Sequence, residues 1–498
     1  MPALSVEEVV NMCLRAVRRG DTIRAVGMVR DLVRQAPNDP RSRMLQGVLS
    51  LWFSQPEHAI RLLEQVTFEL TGDEQRQAAM HLARARIAAG DAGGALATID
   101  PIAGEQDPPG KAVALRAAAL IHAGRLDDAQ ACLDAARIDE KDAYHTAIAR
   151  GRLALATGAE DPALADRTSV AIEALTSQNE RVGVPAASLM ELLIVLGELH
   201  ARRGDDQAAA HLFKRSASLN PTRVDPRPYA QSVMQLLASW NPKSVGRAAK
   251  LADGPAAETE RPLFIVGMPG GGPELAAALL TAHPAVAGVH DVEALSSAIA
   301  RATTNSGEAS PMIADPAKLT GKQLRDAADR YLERTDPYNE AITRVVDADP
   351  LNLHVLGVVA QMLPKARVVV VRRDPFDACF GCVLEHTNPR LVYASDPRTL
   401  AVFAGAIRRL EEHWISLFAG EHLPLRARVV GYADLLSGDA TKGLFEFAGL
   451  DPLADDVAGR VLSEHTRWTA HGMGLRGRFE RLLPELAAVV DQAEIGLV

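Results

Sequence analysis

Aromatic residues are scarce in this chain, making up 4% of its 498 residues, and there are only four cysteines. So few cysteines exclude a small fold built on disulfides. Two of them form Cys379-x-x-Cys382. No second Cys pair or His spacing completes a four-ligand zinc site around them, so no metal is expected. The ordinary reading is two reduced thiols on a helix, one of them in the core, in preference to a redox motif. Basic charge is also short: 54 Lys and Arg against 63 Asp and Glu leave a net charge of −9. That balance argues against a broad nucleic-acid surface. No apolar run reaches the roughly 18 residues of a membrane span. The start, Met-Pro-Ala-Leu-Ser-Val-Glu-Glu, lacks a signal-peptide pattern. A cytoplasmic protein without membrane insertion is expected, with two or three domains for this length.

What the first half does have is internal repetition. A small residue at a turn is followed five positions later by alanine, in Gly20/Ala25, Ser54/Ala59, Gly90/Ala95, Gly124/Ala129, Gly158/Ala163 and Gly204/Ala209. Successive turns lie 34, 36, 34, 34 and 46 residues apart, which places an insertion of about a dozen residues in the last step, near 175–187. Seven residues before each turn stands another small residue: Cys13, Gly47, Ala83, Ala117, Gly151 and Gly197. Antiparallel helices approach closely only where small side chains meet, and the turn between them needs a residue tolerant of unusual φ. Pro37 and Pro221 each fall 17 residues after a turn, and Phe213 supplies a large partner. The period and small positions resemble the tetratricopeptide repeat (TPR), whose period is 34 residues. The resemblance implies an all-α superhelix over 1–221, about six repeats, with a groove for a protein or peptide. The alternative is an array that braces a second domain or a dimer interface. Residues 222–260 read as a capping helix, about 227–239, and a polar Pro/Gly-containing linker.

From 261 the pattern changes to strands alternating with helices, which implies an α/β domain with a parallel sheet over 261–498. Strand-like runs are Leu263–Val266, Arg367–Val371 and Arg428–Val430; helical stretches include 353–363 and 398–419. The first strand enters Gly267-Met-Pro-Gly-Gly-Gly-Pro-Glu274 and a helix-forming run to Thr281. Strand, glycine turn and helix N-terminus are the parts of a phosphate-binding loop. This loop nevertheless lacks Lys, Arg, Ser and Thr. Pro273 has no N–H to offer, and Glu274 puts a negative charge where a phosphate would sit.

Several segments in order resemble the TPR-linked sulfotransferases. The loop of that family usually runs Gly-Met-Pro-Arg-Ser-Gly-Thr-Thr-Leu, and here it is Gly267-Met-Pro-Gly-Gly-Gly-Pro-Glu-Leu275. His283-Pro284 matches the next segment. Asp347-Ala-Asp-Pro-Leu-Asn352 resembles Asp-Lys-x-Pro-x-Asn. Arg372-Arg-Asp-Pro-Phe-Asp-Ala-Cys-Phe-Gly-Cys382 resembles the 3′-phosphate motif, and Tyr432-Ala-Asp-Leu435 resembles Tyr-Glu-Asp-Leu. The resemblance implies a P-loop-like sulfotransferase fold, PAPS as sulfuryl donor and protein tyrosine as a frequent acceptor. It assigns cofactor contacts to Gly267, Gly270, Gly271, Gly272, Arg373, Gly381 and Arg476, and the general base to Asp291.

The departures fall on the chemistry. The family's loop Arg and Ser become Gly270 and Gly271, its two Thr become Pro273 and Glu274, its Lys becomes Ala348, and a Ser becomes Gly381. Sulfuryl transfer needs donors against the leaving phosphate. Losing half of four charged hydrogen bonds costs roughly 3–6 kcal/mol. Each motif residue also has a plain reading. Arg372 and Arg373 would make surface ion pairs, Asp374 and Asp377 would cap the next helix, Tyr432 and Asp434 would brace the sheet edge, and Glu274 would complement the helix dipole in the phosphate's place. Two readings remain open. One is a pseudo-enzyme scaffold with impaired or lost PAPS chemistry, acting through TPR-mediated protein binding. The other is an active PAPS-dependent protein sulfotransferase with an altered loop. Either could form a homodimer.

Overall fold

The computed structural model describes residues 6–18, 21–52, 55–137, 139, 142–158, 162–177, 183–221, 223–245, 257–289, 294–303, 319–336, 339–466 and 472–495. They fall into two compact units. The first holds the chain up to Arg223 together with Val383–Ser395; the second holds Val224–Cys382, Asp396–Thr466 and the C-terminal segment.

The first unit is helical. Its described helices pair as Val6–Arg18 with Thr22–Gln35, Pro40–Trp52 with Pro56–Glu69, Gly72–Ala88 with Ala92–Ala103, Gly110–His122 with Leu126–Ala135, Ala143–Thr157 with Pro162–Ser177, and Ala186–Arg202 with Asp206–Leu219. The turn glycines Gly90, Gly124, Gly158 and Gly204 take φ of 78°, 72°, 64° and 79°, the left-handed region where a Cβ is penalised. Three turns add an aspartate cap: Asp21, Asp91 and Asp205 accept from Arg24, Gly94 and Ala208 N–H. The alanines Ala25, Ala59, Ala95, Ala129 and Ala209 are fully buried. A Cβ on Gly47 would stand 2.8 Å from Leu63, and one on Gly197 would overlap Phe213. In these two pairs the small position meets the large residue four places beyond the alanine, Leu63 after Ala59 and Phe213 after Ala209.

One pair departs from the expected register. Ala163 is exposed, whereas Thr168, ten residues after Gly158 instead of five, is buried. Ile172, four further on, lies 3.3 Å from where a Cβ on Gly151 would stand, although Val195 comes closer and would overlap it. The second helix begins at Pro162, four residues after Gly158 where the pairs at Gly90, Gly124 and Gly204 begin two after, and its buried position lies further along the helix. Successive first helices of the pairs also touch one another along the unit, so they form one continuous layer.

The second unit is built on five parallel strands, β1 Pro262–Gly267, β2 Val286–Gly288, β3 Arg344–Asp347, β4 Arg367–Arg372 and β5 Arg426–Gly431, in the order β2-β3-β1-β4-β5. Every residue of central β1 is buried, as expected of a strand covered on both faces. The sequence reading found β1, β4 and β5. It missed β2 and β3, of three and four residues, because runs so short carry no period. Helix Arg227–Ser239 forms over the expected residues and contributes to this unit's core. Its Tyr229 Oη lies 2.8 Å from His354 Nε2, and Trp240, just beyond it, packs on Trp414 at 5.7 Å.

Candidate functional site: the glycine loop

The loop leaves the carboxyl end of the central strand, where ligands of open α/β sheets bind. A Cβ on Gly267 would lie 2.5 Å from Val371 O, so β1 and β4 approach closely there. Gly270 has φ of 73° and Gly272 φ of 94°; helix Pro273–Thr281 begins directly after. Helix Pro375–Leu384 lies against the turn. A Cβ on Gly270 would overlap Ala378 O, and Cys382 Sγ–H donates to Pro269 O at 3.0 Å. Both Cys379 and Cys382 are buried thiols outside any disulfide, and Gly381 is buried on the same helix.

Three side chains close over this loop. A Cβ on Gly272 would overlap the ring of Tyr432. Arg373 donates to Gly270 O at 2.8 Å and to Gly472 O, and its guanidinium carbon sits 4.5 Å from the Tyr432 ring centre, within cation–π range. Tyr432 is buried and its Oη lies 3.0 Å from His465 Nε2; burial drives the phenol's pKa up. Arg373, expected in a surface ion pair, binds backbone carbonyls. Tyr432, expected at the sheet edge, covers the loop.

The third is Glu411, which sequence reasoning passed over. Its carboxylate faces the Met268 N–H and lies 3.8 Å from Arg372 Nε. It sits on helix Pro397–Ala419 in line with buried Ile407, Leu410 and Trp414. A single acid inside that apolar stripe was the available signal. Burial pushes its pKa up to about 7, against the lowering pull of Arg372 and the Met268 N–H. Glu411 is the buried carboxylate at the loop, while Glu274, in the first turn of helix Pro273–Thr281, is exposed and its charge bears on Tyr432.

Other motif residues are tied to the protein itself. Asp374 caps its helix by accepting Asp377 N–H at 3.0 Å. Asp377 does not cap; it accepts Gly474 and Arg476 N–H at 3.0 and 2.8 Å, and burial raises its pKa. The Arg476 side chain pairs with Asp374 at 3.4 Å and Asp491 at 3.0 Å. Asp347 accepts from Asn352 Nδ2 at 2.7 Å and Tyr331 Oη at 3.1 Å. Burial, with the Asp349 charge, raises its pKa to about 7. The candidate base Asp291, with His290, lies outside the described residues.

The donor set fits a nucleotide phosphate poorly. Prolines 269 and 273 supply no N–H. The Met268 N–H faces the Glu411 carboxylate, and the Gly271 N–H is given to Met268 O at 2.8 Å. Adding a phosphate beside the buried Glu411 carboxylate would set like charges together in a poorly solvated place.

Residues 262–455 match the model of the sulfotransferase family. An uncharacterized protein of Aquifex aeolicus (strain VF5) is 23% identical over 263 residues, covering 51% of this chain and 34% of its own length. The chain thus spans about a third of that curated relative. Crystal structures of sulfotransferase STF1 from Mycobacterium tuberculosis H37Rv and sulfotransferase STF9 from Mycobacterium avium align over 64% of this chain. Those alignments cover 98% and 95% of the two proteins, at 16% and 18% identity and TM-scores of 0.27 and 0.25. The C-terminal part of the chain carries a sulfotransferase-family domain. Family membership does not settle activity, which has to be argued from the site.

Proposed function

We propose that this is a TPR–sulfotransferase protein with impaired or lost PAPS-dependent sulfuryl transfer, acting as a scaffold whose repeats bind a protein partner. One observation carries the reading: the loop that would hold the 5′ phosphate is closed by the chain's own groups. Buried Glu411 stands against the loop beside Arg372, and Arg373, the basic residue retained from the 3′-phosphate motif, is spent on Gly270 O and Gly472 O. The missing side-chain donors point the same way, since each charged hydrogen bond contributes about 1.5–3 kcal/mol.

The test is a titration of the full chain with PAP, the desulfated nucleotide, by calorimetry and thermal shift. No heat and no stabilisation at millimolar nucleotide is the expected result. Micromolar binding would overturn the proposal in favour of an active PAPS-dependent enzyme with an altered loop.

A further inference from the structure

The amino end of the parallel sheet, opposite the glycine loop, carries a cluster of arginines. Three of the five strands begin with one: Arg344 on β3, Arg367 on β4 and Arg426 on β5. Arg367 and Arg426 are register partners on adjacent strands. Arg344 Nε donates to Ala448 O at 2.5 Å and Arg367 Nη1 to Phe447 O at 2.9 Å, the last carbonyls of helix Thr441–Ala448. The next residue is Gly449, with φ of 71°. A Cβ there would stand 2.7 Å from Arg367 Nη1 and 2.9 Å from Arg344 Nη2, so the two guanidinium groups converge on one point. The Arg426 guanidinium carbon lies 5.9 Å from the Phe447 ring centre at the same helix end.

The charges there do not cancel. Of the described acids, Glu260 is the one the cluster faces, 3.4 Å from Arg367 Nη2, and it is shared with Lys365. The other cations at this edge have acids of their own: Lys365 pairs with Glu258, and Arg261 with Asp336 at 3.8 Å. Among the described residues, neither Arg344 nor Arg426 forms an ion pair, and Glu446 on the helix forms none with them. Three arginines against one glutamate leave two positive charges, of which the carbonyl end of a helix offsets about half a charge. Burial, and then the neighbouring guanidinium charges, lower the pKa of both Arg344 and Arg367. The Arg367 side chain is only 9% exposed, so salt screens its charge poorly. Arginines that satisfy a helix C-terminus explain Arg344 Nε and Arg367 Nη1. That role leaves Arg344 Nη2 and the whole of Arg426, which is exposed.

We propose that the amino end of the sheet binds a phosphate-class dianion, inorganic phosphate or a phosphomonoester, with Arg344 Nη2 and the Arg426 guanidinium as donors beside the Arg367 charge. A guanidinium presents paired N–H donors that match such an oxyanion. A surplus above one positive charge favours a dianion over a single carboxylate. The site stands at the other end of the strands from the glycine loop, and it depends neither on loss of sulfuryl transfer nor on a protein partner.

The experiment is calorimetry of the full-length protein at low ionic strength with inorganic phosphate, glycerol phosphate and acetate. Phosphate or glycerol phosphate binds at millimolar concentration or below and acetate does not; the tighter of the two identifies free ion or monoester as the source. Arg344→Ala with Arg426→Ala weakens that ligand at least about tenfold, as expected for lost charged contacts. Arg426→Ala alone, which removes no hydrogen bond to the described residues, weakens it by a smaller factor and serves if the double variant fails to fold. A thermal melt checks each variant. No binding by the wild type, acetate binding as strong as phosphate, or unchanged affinity in a folded variant overturns the proposal. PAP carries phosphates of its own, so its titration is repeated on Arg426→Ala. Heat lost with Arg426 supports this site, and heat that persists counts against the closed glycine loop instead.

Discussion

The ring of Tyr432 lies where a side chain on Gly272 would have to stand. The turn and the β5 terminus therefore constrain each other, and the Arg373 guanidinium, 4.5 Å from the ring centre, holds the same ring from the 3′-phosphate motif. Gly272→Ala must move Tyr432 and also force a Cβ into φ of 94°. The backbone term alone costs about 1–2 kcal/mol. A lowered denaturation midpoint is expected. Adding Tyr432→Ala should cost less than the two single losses summed, with a coupling of about 0.5–3 kcal/mol. Strict additivity would mean that the ring does not rest on the glycine.

Restoring the family's loop arginine should not restore phosphate binding. Gly270 has φ of 73° and its missing Cβ would overlap Ala378 O on the neighbouring helix. Gly270→Arg with Glu274→Thr is expected to lower the melting temperature without PAP binding. A variant that binds PAP by calorimetry would show that the helix can yield.

Asp347 sets a pH dependence. Its folded pKa of about 7 stands above the ordinary 3.8, so its contribution is fully present below 3.8 and lost as pH rises through about 7. Glu411, also raised to about 7, acts in the same direction. Stability attributable to these groups falls between about pH 4 and about pH 7, and each tenfold difference in proton affinity between folded and unfolded chain corresponds to about 1.4 kcal/mol. Asp347→Asn should flatten part of that fall while Asn352 keeps an acceptor at the same place. An unchanged slope in melting temperature against pH would remove Asp347 as a cause.

Two glycines of the helical unit should respond in opposite senses. Gly197→Ala drives a methyl into Phe213 and should cost about 1–3 kcal/mol, the usual penalty of overpacking. Gly93→Ala meets nothing within 4 Å inside its helix and should gain about 0.5–1 kcal/mol in helix propensity. Calorimetric melting separates them.

Much of the helical unit was legible because its determinants repeat. A small residue, a turn and an alanine recur at fixed spacing, and the hairpin can be read wherever all three hold. The reading slipped at Ala163, where the second helix begins later after Gly158 and the buried position falls at Thr168. The turn caps Asp21, Asp91 and Asp205 were in plain view one residue after their glycines, and they strengthen the repeat signal.

For the glycine loop, the chain by itself determined the strand, the turn, the following helix and the loss of side-chain donors. Those are matters of local conformation and residue type. Only the tertiary structure decided what stands against the loop. Glu411, Tyr432 and Arg373 come from three separate elements, brought to the end of β1 by the order of the parallel sheet and the packing of helix Pro397–Ala419. Local pattern shows that a donor is missing, but what fills its place depends on contacts between residues far apart in the chain.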